Sequence, residues 1–372
     1  MKIGLVCPYN IYKSGGVQEC VLALREEFIK SGHQAFIITP KPKGSNLPEI
    51  EGVILVGDAR DIKSPFSTTA QVSASFDNTS IDELLNSYNF DILHFHEPWV
   101  PIVSRQILAR SKTINVATFH AKLPENMMSR SIEKVITPYT KSILKYIDVF
   151  TAVSDAATDY IKSLTKHSIQ IVPNGINHSK FVLKKDIKRD KHTIVYIGRL
   201  EKRKGVIYLL KAFEQLKHTL PDTKLIIAGD GPDRSKLEDY VEFNNLEDVE
   251  FKGYVDEATK IKLLHRATIF CSPAIYGESF GIVLLEAMAS DAVIVAGDNP
   301  GYSSVLQETG ILSLINVKDT SEFARKLRML ITNQELRKLW SNWAKDYVAQ
   351  FSYSNVAKKY LAVYEQAKKA HK

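Results

Sequence analysis

The sequence predicts an α/β protein of two doubly wound, Rossmann-like domains facing a central cleft. Three observations lead there. The chain has 372 residues, enough for two domains at roughly 150 residues each. Short apolar runs alternate with stretches of helical spacing, and the alternation restarts at Thr193. Strand, glycine loop, helix and strand follow one another at the start, and that order implies a parallel sheet.

Ile3–Cys7 is an unbroken apolar run, as expected of a strand covered on both faces. After the loop Ser14-Gly15-Gly16, Val17–Lys30 has helical spacing, with Val17, Val21, Leu24 and Phe28 on one side and Gly32 as its stop. Ala35–Thr39 is the next strand, and residues 41–80 read as loop-rich. Ile92–Phe95, Asn115–Phe119, Val149–Val153 and Ile169–Val172 read as strands, with a helix over Ser129–Lys145. Pro173-Asn174-Gly175 is a turn signal. Residues 184–192 form a charged break, and the domain boundary is expected in this region. Residues 1–173 with 354–372 form one domain, and 174–353 the other.

The second alternation has strands at Thr193–Ile197, Lys224–Ala228, Val249–Phe251, Ile269–Ser272 and Ala292–Val295. Helices over Val206–His218, Ser235–Asn244, Ala258–Arg266 and Gly281–Ala289 lie between or beside them. Ser321–Thr332, Asn333–Ala349 and Asn355–Lys369 close the chain as helices, the last with Tyr360, Val363 and Tyr364 on one side to pack back on the first domain. Ligands of doubly wound sheets bind beyond the C-terminal strand ends, so the expected site is the cleft between the domains.

Composition narrows the partners. Net charge is +7, a modest excess that suits either an anionic partner or a slightly basic enzyme surface. No RNA-sheet or zinc-finger signature is present, which argues against nucleic acid. Three scattered cysteines, Cys7, Cys20 and Cys271, do not form a disulfide framework, so a reducing, cytoplasmic setting is expected. The first apolar run stops at Pro8, too short for a signal core. No apolar run approaches about 18 residues, so membrane contact is expected to be peripheral.

Three stretches carry chemistry. Gly15-Gly16 opens the first helix, where unpaired N–H groups suit phosphate, although a ligand-free turn is the plainer reading of those residues alone. It is not the dinucleotide fingerprint. Gly198-Arg199-Leu200-Glu201-Lys202-Arg203-Lys204-Gly205 gathers four cations between a strand and a helix. Arg199 and Lys204 are placed to neutralise a departing diphosphate, against a solvated basic loop as the plainer reading. Tyr276 to Glu286 holds two carboxylates, Glu278 in a glycine-bounded loop and Glu286 two turns into the following helix. Both can accept hydrogen bonds from sugar hydroxyls. They could instead be a glycosidase pair, or Glu278 a helix cap and Glu286 a surface residue. His94-x-His96-Glu97 places two imidazoles on one side of a strand, but no further Cys or His cluster is visible to complete a metal site, and none is expected.

With Gly229-Asp230-Gly231-Pro232 and Pro173-Asn174-Gly175-Ile176, these stretches resemble the GT-B-fold retaining glycosyltransferases of family 4. Cys7-Pro8-Tyr9, Gly15-Gly16-Val17-Gln18, His94-Phe95-His96-Glu97-Pro98 and Ala117-Thr118-Phe119-His120 are similar to the phosphatidylinositol mannosyltransferase branch. The resemblance implies a nucleotide-diphosphate sugar as co-substrate, GDP-mannose favoured, with no tightly bound cofactor and no catalytic metal. It implies that Gly16 lies against the diphosphate, that Arg199 and Lys204 stabilise it as it leaves, and that His120 sits beside the reacting sugar. Glu278, Ser279, Phe280, Gly281 and Ile282 would line the donor, and Glu286 the ribose. Tyr9, Gln18, His96, Glu97 and Lys122 would face the acceptor.

The pattern departs from that branch in two places. The matching hairpin region Thr69–Phe76 has no Arg, and Ser80–Tyr88 is acidic where a basic amphipathic helix is usual. Lys122, Arg130, Lys134, Lys141 and Lys145, beside Met127, Met128, Ile132, Val135 and Ile136, offer a substitute surface for anionic lipid, or a solvated helix face. A soluble or polysaccharide acceptor, or a donor-binding protein without activity, are the alternative readings.

Overall fold

The computed structural model describes residues 1–13, 15–42, 49–63, 69–73, 78–100, 103–122, 127–182 and 189–371, without the side chains of 58–63, 69–73, 78 and 127–135. It divides into two compact units, Met1–Gly175 with Tyr353–Lys372, and Ile176–Ser352. The chain changes units at Gly175–Ile176. The charged segment 184–192 therefore falls inside the second unit, and its residues 184–188 lie outside the described ones.

The first unit holds one eight-stranded sheet. Its strands are β1 (Lys2–Val6), β2 (Gln34–Lys41), β3 (Val53–Lys63), β4 (Thr69–Ser73), β5 (Ile92–His96), β6 (Ile114–Phe119), β7 (Val149–Ala152) and β8 (Ile169–Ile171). Their order is β4-β3-β2-β1-β5-β6-β7-β8. All neighbours run parallel except β4, which pairs antiparallel with β3. Every residue of β5 and β6 is buried, as helix-covered central strands require.

The helix Gly16–Lys30 buries Cys20, Val21, Leu24 and Phe28, and each large apolar side chain so covered contributes about 1.5–3 kcal/mol. Against it lies the helix Tyr353–Ala370, which returns to the first unit and buries Tyr360, Val363 and Tyr364. The rings of Phe28 and Tyr364 meet at 5.7 Å between centroids.

Residues 41–80 differ from the loop-rich expectation. β3 and β4 lie there, and the helix Asn78–Tyr88 begins there. The sequence hides these strands because Gly57, Asp58, Arg60 and Asp61 break the apolar alternation in β3, whose second half, Ala59–Lys63, pairs only with the edge strand β4. The register sets Arg60 of β3 opposite Val72 of β4. Thus the hairpin whose second arm lacks Arg carries one on its first arm. Residues 74–76 of that stretch are outside the described ones.

The second unit holds a six-stranded, wholly parallel sheet: β9 (Thr193–Ile197), β10 (Lys224–Ala228), β11 (Val249–Gly253), β12 (Ile269–Ser272), β13 (Val293–Gly297) and β14 (Leu314–Ile315), in the order β11-β10-β9-β12-β13-β14. β14, only two residues long, has too little sequence to announce itself. Among the described residues, no helix is long and apolar enough to cross a membrane.

The turn after β10 admits no side chain. Gly229 has φ 145°, and a Cβ there would lie 1.8 Å from the carbonyl oxygen of Gly198. Backbone cannot withdraw as a side chain would, so Gly229→Ala should destabilise the protein by at least the roughly 1–3 kcal/mol of an overpacked site. Urea denaturation of both proteins checks this; an unchanged midpoint would show that the Gly198 loop can shift.

Candidate active site

Each sheet reverses direction once beside its first strand, and in doubly wound sheets ligands bind at the strand ends there. In the second unit the reversal lies between β9 and β12. The chain leaves β9 at Gly198-Arg199 and leaves β12 toward Tyr276–Gly281, so two sequence-distant loops emerge side by side.

One carboxylate joins them. Oε1 of Glu278 accepts from Nη1 of Arg203 at 2.7 Å and from Nζ of Lys204 at 2.8 Å. Glu201 continues the network, meeting Nε of Arg203 at 3.0 Å and Nη1 of Arg199 at 2.8 Å. Burial opposes the Arg203 charge, but Glu278 and Glu201 outweigh it and raise its pKa. The turn is braced by backbone. The Ile275 N–H donates to the Arg203 carbonyl at 2.8 Å, and the Tyr196 hydroxyl to the Arg199 carbonyl at 2.7 Å. Gly205, at φ 68°, brings this turn so near the other loop that a Cβ would lie 2.1 Å from the Pro273 carbonyl oxygen.

The expected pair was Arg199 and Lys204. Lys204 does stand on Glu278, but Arg203 stands beside it, and Arg199 reaches the cluster through Glu201. Arg203 and Glu201 were visible as letters of the cationic loop, yet nothing in the spacing tells which cation turns inward. Glu278 does not cap the next helix; Gly281, at φ 114°, is the N-cap of Ile282–Ala289. Glu286 is buried, not on the surface, and its Oε1 accepts from Lys260 Nζ at 2.7 Å. Phe280 is buried and packs on Phe351 at 6.0 Å. Ser279 and Ile282 are partly buried within the same loop and helix start.

In the first unit the reversal lies between β1 and β5. Gly16 is exposed at the start of its helix, and Gln18 and Tyr9 are half-buried nearby in sequence. Burial first, then Glu97 and Cys7, hold the Tyr9 phenol well above its ordinary range. β5 ends at His96 and β6 at Phe119, which places His96 and His120 together: Nδ1 of His96 lies 2.9 Å from Nε2 of His120. Behind them His94 is fixed at both nitrogens, by the Tyr364 hydroxyl at 2.7 Å and Thr118 Oγ1 at 2.6 Å. The ring centroids of His94 and His96 lie 4.2 Å apart with the planes tilted by 36°, so the two do share one side of the strand.

Glu97 sits in the left-handed region at φ 49°. Its Oε1 accepts the backbone N–H groups of His120 and Ala121, both at 2.5 Å. It braces the turn that carries His120. Burial raises its pKa to about 8, against the pull of those two N–H groups. Burial lowers His94 to about 3 and His120 to about 4, and His96 falls well below its ordinary value. Lys122 meets Asp159 at 3.5 Å. The apolar and basic side chains of 127–135 proposed for lipid contact lie outside the described ones, whereas Lys141 and Lys145 are exposed.

Two doubly wound parallel sheets, one with a cation–carboxylate cluster at its reversal point and one with histidines at its own, define a glycosyltransferase of the GT-B fold. Residues 14–180 match the family described as Glycosyltransferase Family 4, and residues 179–347 match Glycosyl transferases group 1. The chain is 31% identical over 370 residues to the phosphatidyl-myo-inositol mannosyltransferase of Mycolicibacterium smegmatis, covering 98% of this chain and 94% of that one. The chain belongs to glycosyltransferase family 4. Sucrose-phosphate synthase from Thermosynechococcus elongatus shares the fold with a TM-score of 0.77 at 20% identity, over 99% of each chain. Anabaena HepE in complex with UDP-glucose does so with a TM-score of 0.73 at 15% identity, over 98% of this chain and 100% of that one.

The first testable consequence concerns pH. Three histidines are neutral in the fold but protonate near pH 6.5 when unfolded, so the unfolded chain binds more protons between about pH 4 and 6.5. Their contribution to stability therefore falls as pH falls through that window. Glu97, raised to about 8, acts oppositely by holding a proton in the fold, but it is one group against three. Stability should rise from pH 5 to 6.5, and His94→Gln should flatten the rise; equal slopes in urea denaturation would exclude the histidines as its source.

The second concerns the cation cluster. Lys204→Ala leaves Arg203 on Glu278 and should retain the fold while lowering turnover about 100-fold, the scale for losing one preorganised charge partner. Steady-state kinetics with matched far-UV circular dichroism check this.

Proposed function

We propose that this glycosyltransferase moves mannose, with retention, from GDP-mannose to a phosphatidylinositol-type glycolipid. The observation that carries the donor half is the cluster of Arg199, Arg203 and Lys204 around Glu201 and Glu278 at the β9–β12 reversal. Breaking the sugar–phosphate bond leaves negative charge on the diphosphate. Arg199 and Lys204 offset it, a form of stabilisation that grows as the bond breaks. The developing sugar cation is oxocarbenium-like. Glu278 orients its hydroxyls, and Glu286, held by Lys260, takes the ribose. His120 keeps a neutral ring beside the reacting carbon.

The acceptor half rests on the relationship to the mycobacterial-type mannosyltransferases along nearly the whole chain. Arg60 on the β3–β4 hairpin supplies a cation on the arm opposite the one that lacks it. The membrane is met peripherally.

Donor identity is tested by thermal shift with a nucleotide-sugar panel. A ligand at 100 times its Kd stabilises by about 2.7 kcal/mol, so GDP-mannose should give the largest shift. Transfer is then measured with phosphatidylinositol in vesicles against water-soluble sugars, and the product anomer is read by NMR. Equal turnover on a soluble sugar, with no dependence on lipid, would overturn the lipid acceptor; an inverted anomer would overturn retention.

A further inference from the structure

His94 has both ring nitrogens engaged, which removes it from any ligand set. His96 and His120 are different. Their facing nitrogens, 2.9 Å apart, share one proton between two lone pairs. Among the described residues Nε2 of His96 has no hydrogen-bond partner, although the residue is fully buried. Beside them stands Cys20 of the helix Gly16–Lys30. One ligand atom from each of Cys20, His96 and His120 falls within 4.8 Å of the others, and no other such trio gathers among the described residues.

We propose that Cys20, His96 and His120 form a site for a thiophilic divalent cation of the zinc class, and that its occupation shuts off transfer by taking the His120 ring. The inhibitory half rests on the reading of His120 as the group beside the reacting sugar.

The donor set selects the metal. One sulfur and two imidazole nitrogens suit zinc or cobalt, whereas magnesium and calcium require oxygen. Tetrahedral ligation at ordinary bond lengths sets the two nitrogens about 3.3 Å apart and each about 3.6 Å from sulfur. The imidazoles therefore part by a few tenths of an ångström, and the thiol swings inward by up to about 1 Å. Three protein ligands leave the fourth position open, as in sites that exchange ligands. The thiol proton is released, the shared proton moves to the outer nitrogen of its own ring so that both imidazoles stay neutral, and the Cys20 thiolate offsets one of the cation's two charges. Sequence alone pointed to His94 with His96 and found no partner for them. The missing ligands come from a helix and a neighbouring strand that only the fold assembles.

The test uses the full chain and cobalt(II) alone as probe. Equimolar cobalt should give thiolate-to-metal charge-transfer absorption with the intense visible bands of a four-coordinate site, and zinc should displace it. Cys20→Ser should lose the charge-transfer band and weaken binding by at least about tenfold, while Cys7→Ser keeps both. Circular dichroism verifies each fold, and His96→Gln asks the same question should Cys20→Ser not fold. A weak spectrum of oxygen-coordinated cobalt, or a charge-transfer band that survives in Cys20→Ser, would overturn the site and leave the transferase reading standing. Zinc should also inhibit transfer in the wild type and not in Cys20→Ser. Site binding without inhibition would overturn the role given to His120 and with it the inhibitory half.

Discussion

Two cations on one carboxylate oxygen fix the second unit's site. Arg203 and Lys204 come from the loop after β9, and Glu278 from the loop after β12. Backbone bonds such as that from the Ile275 N–H to the Arg203 carbonyl bring the two loops together. The shared oxygen links them, and Glu201 extends the link to Arg199. Removing Glu278 would leave two partly buried cations facing each other, which is why breaking such a pair from one side costs more than the pair contributes. The close approach at Gly205 serves the same link: the backbones must come within contact distance before the side chains can converge.

The first unit solves an opposite problem. Its strands β5 and β6 and their ends carry three imidazoles and a carboxyl group, all buried. Burial keeps the rings neutral, the Tyr364 and Thr118 hydroxyls hold His94, and the backbone N–H of His120 donates to Glu97. Tyr364 belongs to the helix that returns from the far end of the chain. That helix therefore both covers the sheet and orders the row of histidines leading to His120.

How much of this was legible in the sequence depended on whether the signal was local. The central strands showed themselves as apolar runs, since a strand buried on both faces leaves no room for polar residues. The glycines at the reversal loops showed themselves because their backbones admit nothing else. β3 and β4 did not, because β3 carries Gly57, Asp58, Arg60 and Asp61 in its second half, which pairs only with the edge strand β4. The cationic loop was legible as a loop with four cations, but the choice of Arg203 over Arg199 for Glu278 depends on which way a short 3₁₀ turn rotates. Lys260 for Glu286, and Cys20 for His96, come from elements remote in sequence and have no local signature at all.

The two sites therefore differ in what sets their chemistry. In the second unit the charges are already present and held in place by carboxylates, so an anionic ligand meets preorganised cations. In the first unit no charge is offered. Its histidines are lone-pair donors held neutral by burial, and a positive centre brought among them meets polarisable nitrogen instead of water. A developing sugar cation is such a centre, and so is a metal ion. The dryness that would let neutral rings favour the first is what makes them open to the second.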